Sequence, residues 1–206
     1  MVVDMDVLRD EIGSWAAGGS GGPASELVQR LRVRTAVLLE GPSDLAAVET
    51  LAARRGRDLA AEGVCVVSMG GAMSVGRYAA LLGPTGLGLR LTGLCDAREQ
   101  GFFDRGLERA GAPRAGIFVC VADLEEELIR TLGTARVEEI VEAEGDLRAW
   151  QTFVRQPAQH GRSAQQRLRR FLGTKKGRKI RYGHLLVQAL DPDSVPAPLE
   201  GLLASL

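Results

Sequence analysis

The sequence predicts an α/β fold, a parallel sheet flanked by helices with a helical, basic carboxyl-terminal extension. Apolar, β-branched runs of strand length recur near 33–39, 64–68, 90–95 and 116–122. They alternate with segments of helical period, the signature of right-handed βαβ units whose strands are covered on both faces. After Glu138 the strand signals stop and only helical patterning follows.

The first 18 residues read as a short amphipathic helix through Val7, Leu8, Ile12 and Trp15. Gly18-Gly19-Ser20-Gly21-Gly22-Pro23 reads as a flexible break, and a helix from Ala24 to about Leu31 leads into the first strand. Helices are expected at 44–55, 73–82, 99–110 and 124–132 between and after the strands. Four more follow at about 135–144, 147–155, 163–171 and 178–190, then a proline-rich loop with Pro192, Pro196 and Pro198 and an apolar turn at 199–206. The expected division is a helical segment with its linker at 1–32, a catalytic domain at 33–134 and the basic extension at 135–206.

Three of the strand runs end in an acid: Glu40, Asp96 and Asp123. Parallel sheets place functional residues just past the carboxyl ends of their strands, so the three carboxylates are expected at one edge. Crowded carboxylates repel unless cations or protons neutralise them, and hard oxygen ligands together with phosphate suit Mg²⁺. The leading expectation is a metal-dependent phosphoryl-transfer site. Asp44 follows Glu40 by four residues at a helix start, where it equally reads as an N-cap. Asp96 also reads as a cap, and Asp123 with the acids behind it reads as a capping box. Gly70 and Gly71, between the second strand and its helix, can cradle a phosphate or serve as an ordinary turn.

The 206 residues carry 26 basic and 26 acidic side chains, a formal net charge of zero. The distribution is uneven. From Leu147 to Leu190 there is no acid, while Arg148, Arg155, Arg162, Arg167, Arg169, Arg170, Lys175, Lys176, Arg178, Lys179 and Arg181 stand in that stretch. Such a run points to a polyanion partner, with DNA contacts expected at Arg167, Arg169, Arg170, Lys175, Lys176 and Arg178. Three cysteines within or at the ends of apolar runs argue against a disulfide framework, and His160 and His184 lack the neighbours of a zinc site. No run approaches the roughly 18 to 20 apolar residues of a membrane span, and no secretory signal opens the chain, so a cytoplasmic protein without membrane partners is expected.

A strand ending in Glu40-Gly41, a glycine turn at Gly70-Gly71, Asp96 after the third strand and the acidic segment Asp123-Leu124-Glu125 after the fourth resemble the toprim domain, a Rossmann-like fold. Glu40-Gly41-Pro42-Ser43-Asp44 is most similar to the opening segment of the toprim part of OLD (overcoming lysogenization defect) family nucleases. The resemblance covers about 33–132. It implies a two-metal centre cutting DNA phosphodiesters with Mg²⁺, for which Mn²⁺ can substitute. Glu40, Asp44 and Asp96 would hold one ion, and Asp96 would bridge to a second held by Asp123 and Glu125. It also implies a catalytic lysine, best matched by Lys179 and next by Lys176, beside Glu40.

Two features depart from the family. Toprim domains carry Asp-x-Asp after the third strand, where this chain has Asp96-Ala97-Arg98, so the second ion depends on Glu99 or Glu125. OLD nucleases carry an ATPase, yet no Gly-x-x-x-x-Gly-Lys-Ser/Thr is present. The expectation is therefore a free-standing toprim nuclease with a separate ATPase or helicase as partner, and with a homodimer left open. The alternative is a non-catalytic nucleic-acid-binding or regulatory module with a degenerate metal site.

Overall fold

The computed structural model describes residues 2–175 and 177–206. The four apolar runs form strands β1 (Thr35–Leu39), β2 (Val64–Ser68), β3 (Arg90–Asp96) and β4 (Ile117–Cys120). All are parallel, in the order β2-β1-β3-β4. Val37 stands opposite Val66 on one side and Thr92 on the other, and Asp96 opposite Cys120. The chain steps from β1 outward to β2, then crosses to the opposite side of β1 for β3. That reversal opens a crevice between the carboxyl ends of β1 and β3, the place where doubly wound sheets bind ligands.

Alternation along each strand divides the core in two. Val37, Leu39, Val64, Val66 and Leu94 face one apolar layer, while Ala36, Leu38, Cys65, Val67, Leu91 and Cys95 face the other. The second layer is supplied by α1 (Val2–Ala16), α2 (Gly22–Arg30), α4 (Val75–Leu82) and α5 (Gln100–Arg109). The first is supplied by α3 (Pro42–Arg54), α6 (Leu124–Leu132), α7 (Thr134–Ala143), α8 (Leu147–Val154), α9 (Ala164–Leu172), α10 (Arg178–Ala189) and α11 (Ala197–Ala204). The two flanking segments are thus walls of the sheet. The helices of 135–206 share one continuous core with α3 and β1.

The glycine-rich stretch is more ordered than a flexible break. α2 already begins at Gly22, with Pro23 in its first turn where no N–H is needed, and Gly21 lies so close to the Trp15 ring that a Cβ there would stand 2.4 Å from it. β4 ends two residues before the expected 122. Its edge position leaves Val121 exposed, and the Val121 N–H donates to the Glu127 carboxylate at 2.9 Å while the chain turns into α6. The apolar end is the helix α11, whose Gly201 packs on the Phe118 ring.

One contact sets the site. α10 lies along α3 so closely that a Cβ on Gly183 would come 2.6 Å from the Ser43 carbonyl oxygen. Arg54 of α3 donates to the carbonyls of Val187 (2.6 Å) and Leu190 (2.8 Å), filling acceptors left open at the end of α10. The other end of α10 is thereby held beside the loop that follows β1.

Candidate active site

Glu40 follows β1 directly. Its Oε1 accepts the Asp96 N–H at 3.0 Å, which ties the ends of the two central strands together. Asp44 sits in the first turn of α3, where Oδ2 accepts the Gly41 N–H at 3.0 Å. It is therefore a capping residue and an edge carboxylate at once. Asp96 closes β3. Asp123 caps α6 by accepting from Glu126 N–H at 2.8 Å, and its second oxygen accepts from Arg169 Nε at 2.5 Å. Glu125 is buried, with Lys179 Nζ 3.1 Å from its Oε1.

Electrostatics bind these groups into one cluster. Burial first, then a hydrogen bond with Glu99 and the charges of Asp96 and Glu99, push the Glu40 carboxyl up to about 8, against a pull downward from the Asp96 N–H. Burial and the Glu125 charge push Asp44 up to about 7. Burial and the charges of Asp123, Glu125 and Glu99 do the same to Asp96, also to about 7. Lys179 is raised as well: burial would lower it, but Glu125, Asp123 and Asp44 hold its ammonium above the ordinary lysine value, so it stays charged. Six carboxylates thus face two cations, Lys179 and Arg169.

Among the described residues no three Asp, Glu, His or Cys side chains already stand in a metal-holding arrangement. Glu40, Asp44 and Asp123 spend oxygens on backbone N–H groups and Arg169 instead. The chemistry of the donors nevertheless fits a hard divalent cation. All are carboxylate oxygens, negative charge is in excess, and Glu99 Oε2 is buried without a hydrogen-bond partner. Two acceptor carboxyls in contact, as Glu40 and Glu99 are, need a shared proton or a bridging cation.

The remaining expected residues are dispersed. Gly70 and Gly71 both adopt positive φ, at 71° and 124°, and Gly71 N–H donates to the Glu40 carbonyl at 2.8 Å. This turn therefore locks the loop after β2 to the loop after β1, and one of its N–H groups is already engaged. Arg170 and Lys175 are exposed, Arg167 is half-buried, and Arg169 turns toward the acids. Lys176 lies outside the described residues.

Arg178 is a correction. Expected on a nucleic-acid surface, it is buried, lies over the Phe171 ring at 4.1 Å, donates to the Phe171 carbonyl and to Thr174, and pairs with Asp146 at 3.3 Å. Its guanidinium is consumed inside the fold. Glu99 was foreseen only as a compensating acid, yet it contacts Glu40 directly. Asp146, the partner of Arg178, carries no motif. Its sequence signal is its place, the last acid before the acid-free run.

Residues 33–97 match the family model described as overcoming lysogenization defect protein-like, TOPRIM domain. The C-terminal region of the OLD protein of Xanthomonas campestris pv. campestris, in its mercury-phased form, is similar in structure with TM-score 0.60 at 25% identity, covering 84% of this chain and 93% of that one. The corresponding region from Burkholderia pseudomallei gives TM-score 0.60 at 21% identity over 84% and 96%, a likeness of fold. No curated protein matches the chain.

Proposed function

We propose that this chain, which carries an OLD-like toprim domain, is a Mg²⁺-dependent nuclease that hydrolyses DNA phosphodiester bonds, with Mn²⁺ able to replace Mg²⁺. The observation that carries the reading is the convergence of Glu40, Asp44, Asp96, Glu99, Asp123 and Glu125 at the β1/β3 crevice with Lys179 among them. Glu40, Asp44 and Asp96 are the residues to hold one ion. Asp96, Asp123 and Glu125 hold the second, and Glu99 supplies the acid that Arg98 displaces from the usual Asp-x-Asp. Bound ions would polarise the scissile phosphate and stabilise attacking and leaving oxygens.

The protein side chains have separate tasks. Arg169 fixes the rotamer of Asp123 by its 2.5 Å ion pair. Burial and the neighbouring Glu99 and Asp96 hold the Glu40 carboxyl well above the ordinary glutamate value, so a cation bound there would relieve that crowding. Lys179, delivered by α10, is placed to neutralise charge on the phosphoryl oxygens, where a preorganised cation in a partly buried site acts most strongly. The test is nicking of supercoiled plasmid by the purified chain with Mg²⁺ or Mn²⁺. Cutting should disappear in Glu40→Ala and Asp96→Ala variants that retain the fold, and wild type that never cuts refutes the reading.

A second reading, a non-catalytic nucleic-acid-binding module, draws on Arg98 and on the absence of a ready coordination set among the described residues. Calorimetric metal titration separates the two. Two sites of similar stoichiometry favour the nuclease, and one weak site or none favours the module.

A further inference from the structure

Among the described residues only five large apolar side chains are exposed, and four of them lie within three residues of the acidic cluster, its lysine or the Gly70-Gly71 turn tied to Glu40. Met73, 81% exposed, follows the Gly70-Gly71 turn beyond β2. Val121, 73% exposed, follows β4 at the opposite side of the sheet. Phe102 lies in the first turn of α5 on one face, and Ile180 in the first turn of α10 on the other, next to Lys179. Each stands at the carboxyl edge of the sheet. Met73 and Val121 flank the three strand intervals from β2 to β4, about 14 Å at the usual spacing.

We infer that this rim is a seat for single-stranded nucleic acid, whose unstacked bases rest on Met73, Phe102, Val121 and Ile180 while a phosphate lies over the carboxylates. The inference rests on the phosphodiester reading of the site. A duplex turns phosphates and sugars outward and hides its base faces in the stack, so it offers little to four isolated apolar side chains. A single strand offers a base face at every step. A protein partner fits less well, because interface cores are depleted of charge, whereas these four side chains neighbour a cluster of six carboxylates. The rim also carries cations suited to phosphates. Arg105 lies 5.2 Å from the centre of the Phe102 ring, and Arg98 is exposed beside Asp96.

The test uses the full chain with Ca²⁺ at a level where no cutting occurs, and reads fluorescence anisotropy of a labelled mixed-sequence 20-mer against the same strand in duplex. The single strand should bind at least about tenfold more tightly. Phe102→Ala should weaken single-strand binding by roughly fivefold or more, and the Met73→Ser/Val121→Ser double variant by a similar factor, with duplex binding unchanged. Because Met73 and Val121 are largely in solvent, that double variant keeps the fold, checked by an unaltered melting temperature. Equal or tighter duplex binding, or single-strand affinity indifferent to these substitutions, overturns the seat. Plasmid cutting without single-strand preference sinks the seat and leaves the nuclease standing. Single-strand preference without cutting at Mg²⁺ does the reverse.

Discussion

Arg178 and Lys179 are neighbours at the start of α10, yet they serve two acid–base clusters built on opposite principles. Around Asp146 the cations win. Burial would push its carboxyl up, but hydrogen bonds from Arg178 and Tyr182 and the charges of Arg178 and Arg181 bring it below the ordinary aspartate value. Around Glu40 burial and the neighbouring anions win, and Lys179 and Arg169 leave the carboxyls raised. The first cluster is satisfied by the protein itself. Under the nuclease reading the second is completed by a cation from outside, and that is the physical difference between a staple and a site.

The largest effect should come from emptying the second cluster. Glu40→Gln is expected to reduce plasmid nicking by about 10²- to 10³-fold while the circular dichroism spectrum stays native. Retained nicking would move the chemistry away from the β1 edge. Breaking the first cluster should do the converse. Asp146→Ala leaves Arg178 buried without its carboxylate, which should cost about 3 kcal/mol and lower the melting temperature by roughly 6–12 °C. A melting temperature within a degree of wild type would show that Asp146 is no staple.

Lys179→Ala should lower the single-turnover cleavage rate by about 10²-fold with less than about threefold change in DNA affinity. An affinity loss equal to the rate loss would reassign Lys179 to uniform binding. The two clusters should also answer pH in opposite senses. Glu40 has a folded value of about 8 against an ordinary 4.5, so its contribution to stability is complete below about 4.5 and is lost as pH rises through 8. Asp146, depressed in the fold, contributes above its ordinary 3.8 and loses that contribution as pH falls through its lowered value. In chelator, the melting temperature should therefore fall between about pH 4.5 and about pH 8 and level off above it, and Glu40→Gln should shrink that fall. A fall that Mg²⁺ does not reverse would separate it from the cluster. The smallest effect belongs to the exposed cations. Arg170→Ala with Lys175→Ala should flatten the slope of log affinity against log salt by up to about two.

How far the molecule could be read in advance follows the same divide. Buried parallel strands announce themselves as unbroken apolar runs, so β1 to β4 and the acids Glu40 and Asp96 at their ends were visible, Glu40 without a local explanation and Asp96 readable as a helix cap as well. An amphipathic helix, by contrast, declares that it has a partner without saying which. That α7 to α11 wall one face of the sheet was therefore not legible. Glu99 hid in a polar turn between Arg98 and Gln100. Arg178 and Lys179 looked alike in a basic run, because only the roughly 100° turn between successive helical residues, with Asp146 on one side and Glu125 on the other, sends them to different work.

The packing of α10 along α3 joins residues 134 positions apart, as the 2.8 Å contact of Thr50 with His184 marks. On the ribosome this sets an order of events, since chains are made and begin folding from the amino terminus. The acids of β1, β3 and α6 emerge well before their lysine. Until Gly183 has settled against Ser43, the nascent chain has the carboxylates but no means of bringing Lys179 to Glu125. Under the nuclease reading, the protein cannot cut while it is being made, and the arrival of one late helix is what arms it.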